Sequence, residues 1–128
     1  MKEPLWLNRE DCLAIHEMIL AQHGGWAGVC DEGLLESALS KPRHLFACAS
    51  PTLADMAASY AAGIILNHPF LDGNKRTGFI LAATFLELNG LEFTATEESV
   101  IAMTLALASR KLKQAAYVQW LGENSGAR

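Results

Sequence analysis

The segment TLADMAASYAAGIILN (52–67), followed by Pro69, constrains the fold more than any other part of the chain. Alanine and larger apolar residues fall on more than one face of it. A helix of that kind has to be surrounded by neighbours rather than lie on a surface. Pro69 disfavours helical backbone at His68, so the helix is expected to end near Asn67. Shortly afterwards a second apolar helix is expected over NKRTGFILAATFLEL (74–88), stopped by Asn89-Gly90. Two core helices joined by one short loop predict an all-α fold.

The remaining elements follow from local chemistry. Asn8 is placed to cap a helix over REDCLAIHEMILAQH (9–23), and Gly24-Gly25 ends it. Asp31 is placed to cap a short helix, EGLLESALS (32–40), which is expected to stop before Pro42. KPRHLFACAS (41–50) shows no clean period and is expected to be a loop able to hold extended segments. Ser50-Pro51 reads as the start of the central helix, a capping serine followed by proline at the first helical position. LEF (91–93) reads as a short extended link, and Thr94 with Glu97 as a capping box for EESVIAMTLALAS (97–109). A final helix is expected over about KQAAYVQWL (113–121), ahead of a polar tail, GENSGAR. The expectation is a single domain over 1–128, with about six helices around one core.

Composition narrows the function classes. Hydrophobic residues make up 51% and charged residues 19%, a globular balance. The net charge of -4 argues against direct nucleic-acid binding, which depends on clustered cations. A nucleotide site needs only local positive charge. The three cysteines, Cys12, Cys30 and Cys48, contain no CxxC pair. Free thiols in a reducing cytoplasm fit them better than a disulfide framework or a zinc site. No apolar run approaches the roughly 20 residues that span a bilayer, and MKEPLWLNREDC lacks a signal-peptide core. The chain reads as soluble and cytoplasmic, without a membrane partner.

Between the two apolar helices lies HPFLDGNKRTG (68–78). Lys75 and Arg76 fall in the first turn of the second helix. Cations are unfavourable at that end by about 0.3–1 kcal/mol each, because the helix dipole is positive there. The placement makes sense when an anion occupies the site, since a helix start offers free N–H groups and a favourable dipole. Arg76 can hold phosphate oxygens bidentately and Lys75 adds a fixed charge. Asp72 can serve a Mg²⁺ ion that bridges phosphates. His68 can accept a proton from an attacking hydroxyl near neutral pH. Each residue alone has an ordinary structural explanation. In this order and proximity they supply most of what phosphoryl or nucleotidyl transfer requires, which is largely positioning and electrostatics.

The stretch HPFLDGNKRTG resembles the motif of the Fic/Doc superfamily, roughly H-P-F-x-[D/E]-G-N-[G/K]-R. LNREDCLAIHEMILAQHGG, the stretch D-x-G-L-L-E-x-A-L at 31–39 and FLELNG extend the likeness to the death-on-curing (Doc) branch across nearly the whole chain. The resemblance implies that His68 is the base, Asp72 the metal-binding acid, Asn74 a phosphate-binding residue and Arg76 a phosphate clamp. Gly73 would let the backbone approach the phosphates, and Phe70 would anchor the loop in the core. Fic enzymes that transfer AMP usually have glycine where this chain has Lys75, and a second arginine where it has Phe79. In the Doc branch, lysine at that position accompanies transfer of the terminal phosphoryl group. The implied activity is an ATP- and Mg²⁺-dependent phosphotransferase acting on a Ser or Thr hydroxyl of a cytoplasmic protein. A translation factor such as elongation factor Tu is the expected target, and growth inhibition the outcome. AMP transfer, or nucleotide binding without turnover, are the alternatives.

Family members of the Fic type can use the segment before the central helix as a flap that aligns a target peptide by strand addition. Arg43, His44 and Phe46 are the residues of this chain that fall there. Toxins of this branch are held inactive by a small antitoxin whose disordered tail folds on binding. The chain lacks an [S/T]-x-x-x-E-[G/N] inhibitory helix, which favours such an external inhibitor. His16, Glu17 and His23 do not have the HExxH spacing of a metal site, and His16 reads as a structural histidine. Of Trp6, Trp26 and Trp120, at least one is expected in the core and one at a protein interface.

Overall fold

The computed structural model describes residues 1–128. The elements follow in the order α1 (Arg9–His23), α2 (Glu32–Cys48), α3 (Leu53–Asn67), α4 (Asn74–Leu88), β1 (Leu91–Phe93), α5 (Glu97–Ala108), α6 (Gln114–Glu123) and β2 (Ser125–Ala127). The expected all-α fold of six helices is present, joined by one two-stranded antiparallel ribbon.

Helix α3 is the axis of the core. Every residue from Met56 to Ile65 is buried, because α2, α4, α5 and α6 pack around it. Small residues permit the close approach. A Cβ built on Gly63 would stand 2.6 Å from the Cβ of Ala38 in α2. One built on Gly78 of α4 would stand 2.6 Å from Cγ1 of Ile65 and 3.0 Å from the Ala61 carbonyl oxygen. Two helices flanking α3 thus lie nearly in backbone contact with it. The buried Tyr60 hydroxyl accepts from the Leu7 N–H and donates to the Leu7 carbonyl, fastening the segment before α1 to this core.

Several boundaries follow the expected caps. Asn8 and Asp11 form a reciprocal capping box at α1, and Asp31 accepts the Leu34 N–H at α2. The expected stop before Pro42 is not observed. Helix α2 continues through Pro42 to Cys48. The reason is an uninterrupted apolar face: Leu35, Ala38, Leu39 and Pro42 are buried, and Leu45 and Phe46 pack on the same core. Burial along that face outweighs the one backbone bond that proline removes. Two caps also shift. Helix α3 is capped by Thr52 in a box with Asp55 rather than by Ser50, and α5 by Thr96 rather than Thr94. The Thr94 N–H instead donates to the Asn124 carbonyl, beside the ribbon in which Leu91 faces Ala127 and Phe93 faces Ser125. Part of the expected polar tail is therefore strand β2. No helix is long and apolar enough to cross a membrane.

Candidate active site

The loop from His68 to Gly73 hangs between the end of α3 and the start of α4. His68 caps α3, its N–H donating to the Ile64 carbonyl at 3.1 Å, in left-handed backbone with φ 50° and ψ 57°. The following proline disfavours right-handed helix here, and a left-handed non-glycine costs about 1–2 kcal/mol. The strained turn leaves the His68 side chain exposed at the head of the loop.

Phe70 is the loop's anchor, as expected. Its side chain is buried and adds about 1.5–3 kcal/mol by leaving water. Asn74 fastens the same residue from the other side. Its Oδ1 accepts the Phe70 N–H at 3.0 Å and its Nδ2 donates to the Phe70 carbonyl at 2.9 Å. Both halves of this buried amide are engaged by the loop's own backbone.

A second segment, residues 24–31, braces the loop from outside. Val29 and Phe70 form an antiparallel bridge. The Cys30 and Asp31 N–H groups both donate to the Pro69 carbonyl, and the Leu71 N–H donates to Gly28. The Asp72 carboxylate is held by backbone alone: Oδ1 accepts from Gly73 at 2.9 Å and Oδ2 from Trp26 at 3.3 Å. Gly25 makes this possible. It has φ 119°, and a Cβ there would lie 2.8 Å from Oδ2 of Asp72.

Helix α4 opens at Gly73, in left-handed backbone with φ 79° and without a side-chain cap. Helices α1, α2, α3 and α5 each carry an acidic residue in their first turn; α4 and α6 have none, and of these two only α4 presents cations there, Lys75 and Arg76. Both are exposed, and the protein's one ion pair, Arg9 with Glu32, lies elsewhere. The result is an uncapped helix start with two unpaired cations, flanked by an exposed imidazole and an exposed carboxylate. Such a helix start can hold phosphate oxygens. No cluster of three potential metal ligands exists, and Asp72 retains free lone pairs beyond its two backbone bonds. That donor set fits an ion held mainly by phosphate and water.

The model of the Fic/DOC family matches residues 6–86, which include this whole loop. This chain belongs to the Fic/DOC family. It is 38% identical over 92 residues to a protein named Toxin Doc from Mycolicibacterium smegmatis, a match covering 70% of this chain and 68% of that one. It is 30% identical over 87 residues to a protein named Protein kinase doc from Escherichia phage P1, covering 67% of this chain and 69% of the relative.

Not every residue expected near the site of this Fic/DOC chain is there. Arg43, His44 and Phe46 lie on α2, so their backbone is engaged in helical bonds and cannot add a strand. Arg43 instead stands over the Trp6 ring at 5.4 Å, and Phe46 packs edge-on against it. The extended segment beside the loop is 28–31. The motif also gives no sign of His16. From α1 its ring stacks on Phe70, and its Nε2 lies 2.8 Å from the Asp72 carbonyl. That carbonyl can only accept, so Nε2 carries the proton. His16 is buried, as a structural histidine should be, but the structure it supports is the site.

Proposed function

We propose that this Fic/DOC protein is a Doc-like toxin that transfers the γ-phosphoryl group of ATP to a Ser or Thr hydroxyl of a cytoplasmic protein. The observation that carries the reading is the uncapped, acid-free start of α4 bearing Lys75 and Arg76 beside His68 and Asp72. The names of the two relatives, a toxin and a protein kinase, point the same way.

In this reading, the first-turn N–H groups of α4, Lys75 and Arg76 receive the phosphates, and Gly73 keeps the approach clear. Asn74 keeps Phe70, and hence the loop, in place. Asp72 is the one protein ligand to Mg²⁺, which when bound would neutralise charge on the phosphates. His68 takes the proton of the attacking hydroxyl. The hydroxyl oxygen bonds to the γ-phosphorus as the bond from that phosphorus to the β–γ bridging oxygen breaks, releasing ADP. AMP transfer is the second reading. It is disfavoured at Phe79, where the second arginine of AMP-transferring members would stand, because Phe79 is packed against Phe93 and Trp120. A translation factor, elongation factor Tu in particular, is the proposed acceptor. The wall at 24–31, where Trp26 is 75% exposed, is the proposed rest for the acceptor chain.

A cognate antitoxin is the proposed partner. An apolar groove of about 540 Å³ runs between α1, α4 and α5, with Met18 and Ile101 exposed in it and Lys75 and Arg76 at its edge. An amphipathic tail with acidic residues, helical once bound, fits that chemistry. Ile101→Asp should abolish co-purification with the antitoxin and leave transfer intact; a retained complex would remove the groove from consideration.

The main reading is tested by incubating the purified protein with Mg²⁺ and lysate, with ATP labelled at either the γ or the α phosphate. Label on protein from γ-ATP alone, absent with His68→Ala, is expected. Label from α-ATP would establish AMP transfer instead. No label in either lane, with elongation factor Tu demonstrably present, would leave a nucleotide-binding module without turnover.

A further inference from the structure

A second cleft, of about 490 Å³, opens on the other side of Lys75. His68 and Lys75 form one wall, and Leu105, Ala106, Ser109 and Lys111 the other. No carboxylate lines it. Since the one ion pair of the protein lies at Arg9, neither lysine has an acidic partner.

The turn that carries Lys111 is held in place by backbone. Helix α5 ends with the Arg110 N–H donating to Leu107 at 3.1 Å and the Lys111 N–H to Ala106 at 3.0 Å. This is the Schellman arrangement, whose left-handed position is usually glycine. Here it is Arg110, with φ 62°. Only His68 and Arg110 among the non-glycine residues have positive φ, and each belongs to a segment that builds this cleft. Lys75, Arg76, Arg110 and Lys111 belong to those same segments. They are four of the ten Lys and Arg residues of a chain with net charge -4, and Lys113 lies beyond the cleft. Cations gathered on two opposed segments, without acids between them, match a ligand carrying several negative groups in a row.

We infer that Lys111 is a specificity residue of the nucleotide site, holding the polyphosphate across the cleft from Lys75 so that a nucleoside triphosphate is taken in preference to a monophosphate. The inference rests on the phosphotransfer reading above and adds a residue outside the motif. An acidic stretch of the acceptor protein could use the same charge. Polyphosphate is favoured because His68 lines the same wall as Lys75, and the transferred group has to lie within reach of that residue.

The test is equilibrium titration of the purified full chain with ATP, ADP and AMP in the presence of Mg²⁺ and without acceptor protein. Wild type is compared with Lys111→Glu, and with Lys113→Glu as a control of equal charge change outside the cleft. Lys111 is exposed, so a thermal melt should show both variants folded. Loss of a charge-assisted phosphate contact predicts about tenfold or weaker ATP binding in Lys111→Glu, with AMP changed less than about twofold. Lys113→Glu should change neither. Equal weakening of ATP and AMP, or no weakening, would overturn the inference. So would unchanged nucleotide affinity with slower transfer, which would assign Lys111 to the acceptor. A wild-type chain that binds none of the three nucleotides would remove the phosphotransfer reading itself, and this inference with it.

Discussion

The imidazole of His16 lies 3.8 Å from the ring of Phe70, at an interplanar angle of 9°, and its Nε2–H reaches the Asp72 carbonyl. One side chain of α1 thus holds the loop at both its apolar and its polar end. His16→Ala should lower kcat by about 10²-fold, the effect of a misplacement near 1 Å, with a smaller change in KM for ATP. His16→Gln, which keeps a donor but not the stack, should recover part of the loss. An unchanged kcat in His16→Ala would show that the loop is held without it.

Gly25 tests the placement of Asp72. Gly25→Ala puts a methyl group 2.8 Å from Oδ2, in backbone that disfavours side chains. Gly24 also has positive φ, but a Cβ there meets nothing within 4 Å. Both variants should lose roughly 1 kcal/mol of stability. Only Gly25→Ala should lose transfer and require more Mg²⁺. Parallel activity of the two would separate Asp72 from the metal.

Within a helix, Gly→Ala ordinarily stabilises by about 1 kcal/mol. At Gly63 the sign should reverse, because the new methyl would meet the Cβ and Cα of Ala38 at 2.6 and 2.9 Å. Overpacking of this kind costs about 1–3 kcal/mol. A melting temperature of Gly63→Ala lower by several degrees is expected. A higher one would mean that α2 and α3 can separate without cost.

Burial pushes the Cys12 thiol from 9.0 up to about 12. The folded protein therefore holds this proton more tightly than the unfolded chain. The associated stability is fully present below pH 9 and is lost as pH rises from there toward about 12. Tyr60 and Tyr117, also raised by burial, act in the same direction. Denaturation midpoints should fall steadily above pH 9, and less steeply in Cys12→Ala. A thiol reagent at neutral pH should label Cys30 and Cys48, which are exposed, and reach Cys12 only on unfolding.

What could be read in advance was what local chemistry decides. The caps at Asn8 and Asp31, the end of α3 before Pro69 and the glycine stop after α4 each depend on a few adjacent residues. The extent of α2 does not. Residues 41–50 show no period alone, and only the face running from Leu35 to Phe46 reveals the helix. Thr96 won over Thr94 because Asn124, 30 residues away, engages Thr94. The loop motif itself was legible because its residues are contiguous. Its supports, His16 and Gly25, meet it across 54 and 47 residues of sequence, and no local pattern marks them.

Helix α3 is enclosed on every side from Met56 to Ile65, and His68 begins where it ends. The proposed proton acceptor is therefore mounted at the end of the most deeply buried helix of the molecule, and the loop behind it is pinned from two directions. A socket of that kind does not close around its target. If the proposed transfer holds, the hydroxyl must come to the enzyme, which selects acceptors displayed on pliable loops over those locked into a helix or a sheet.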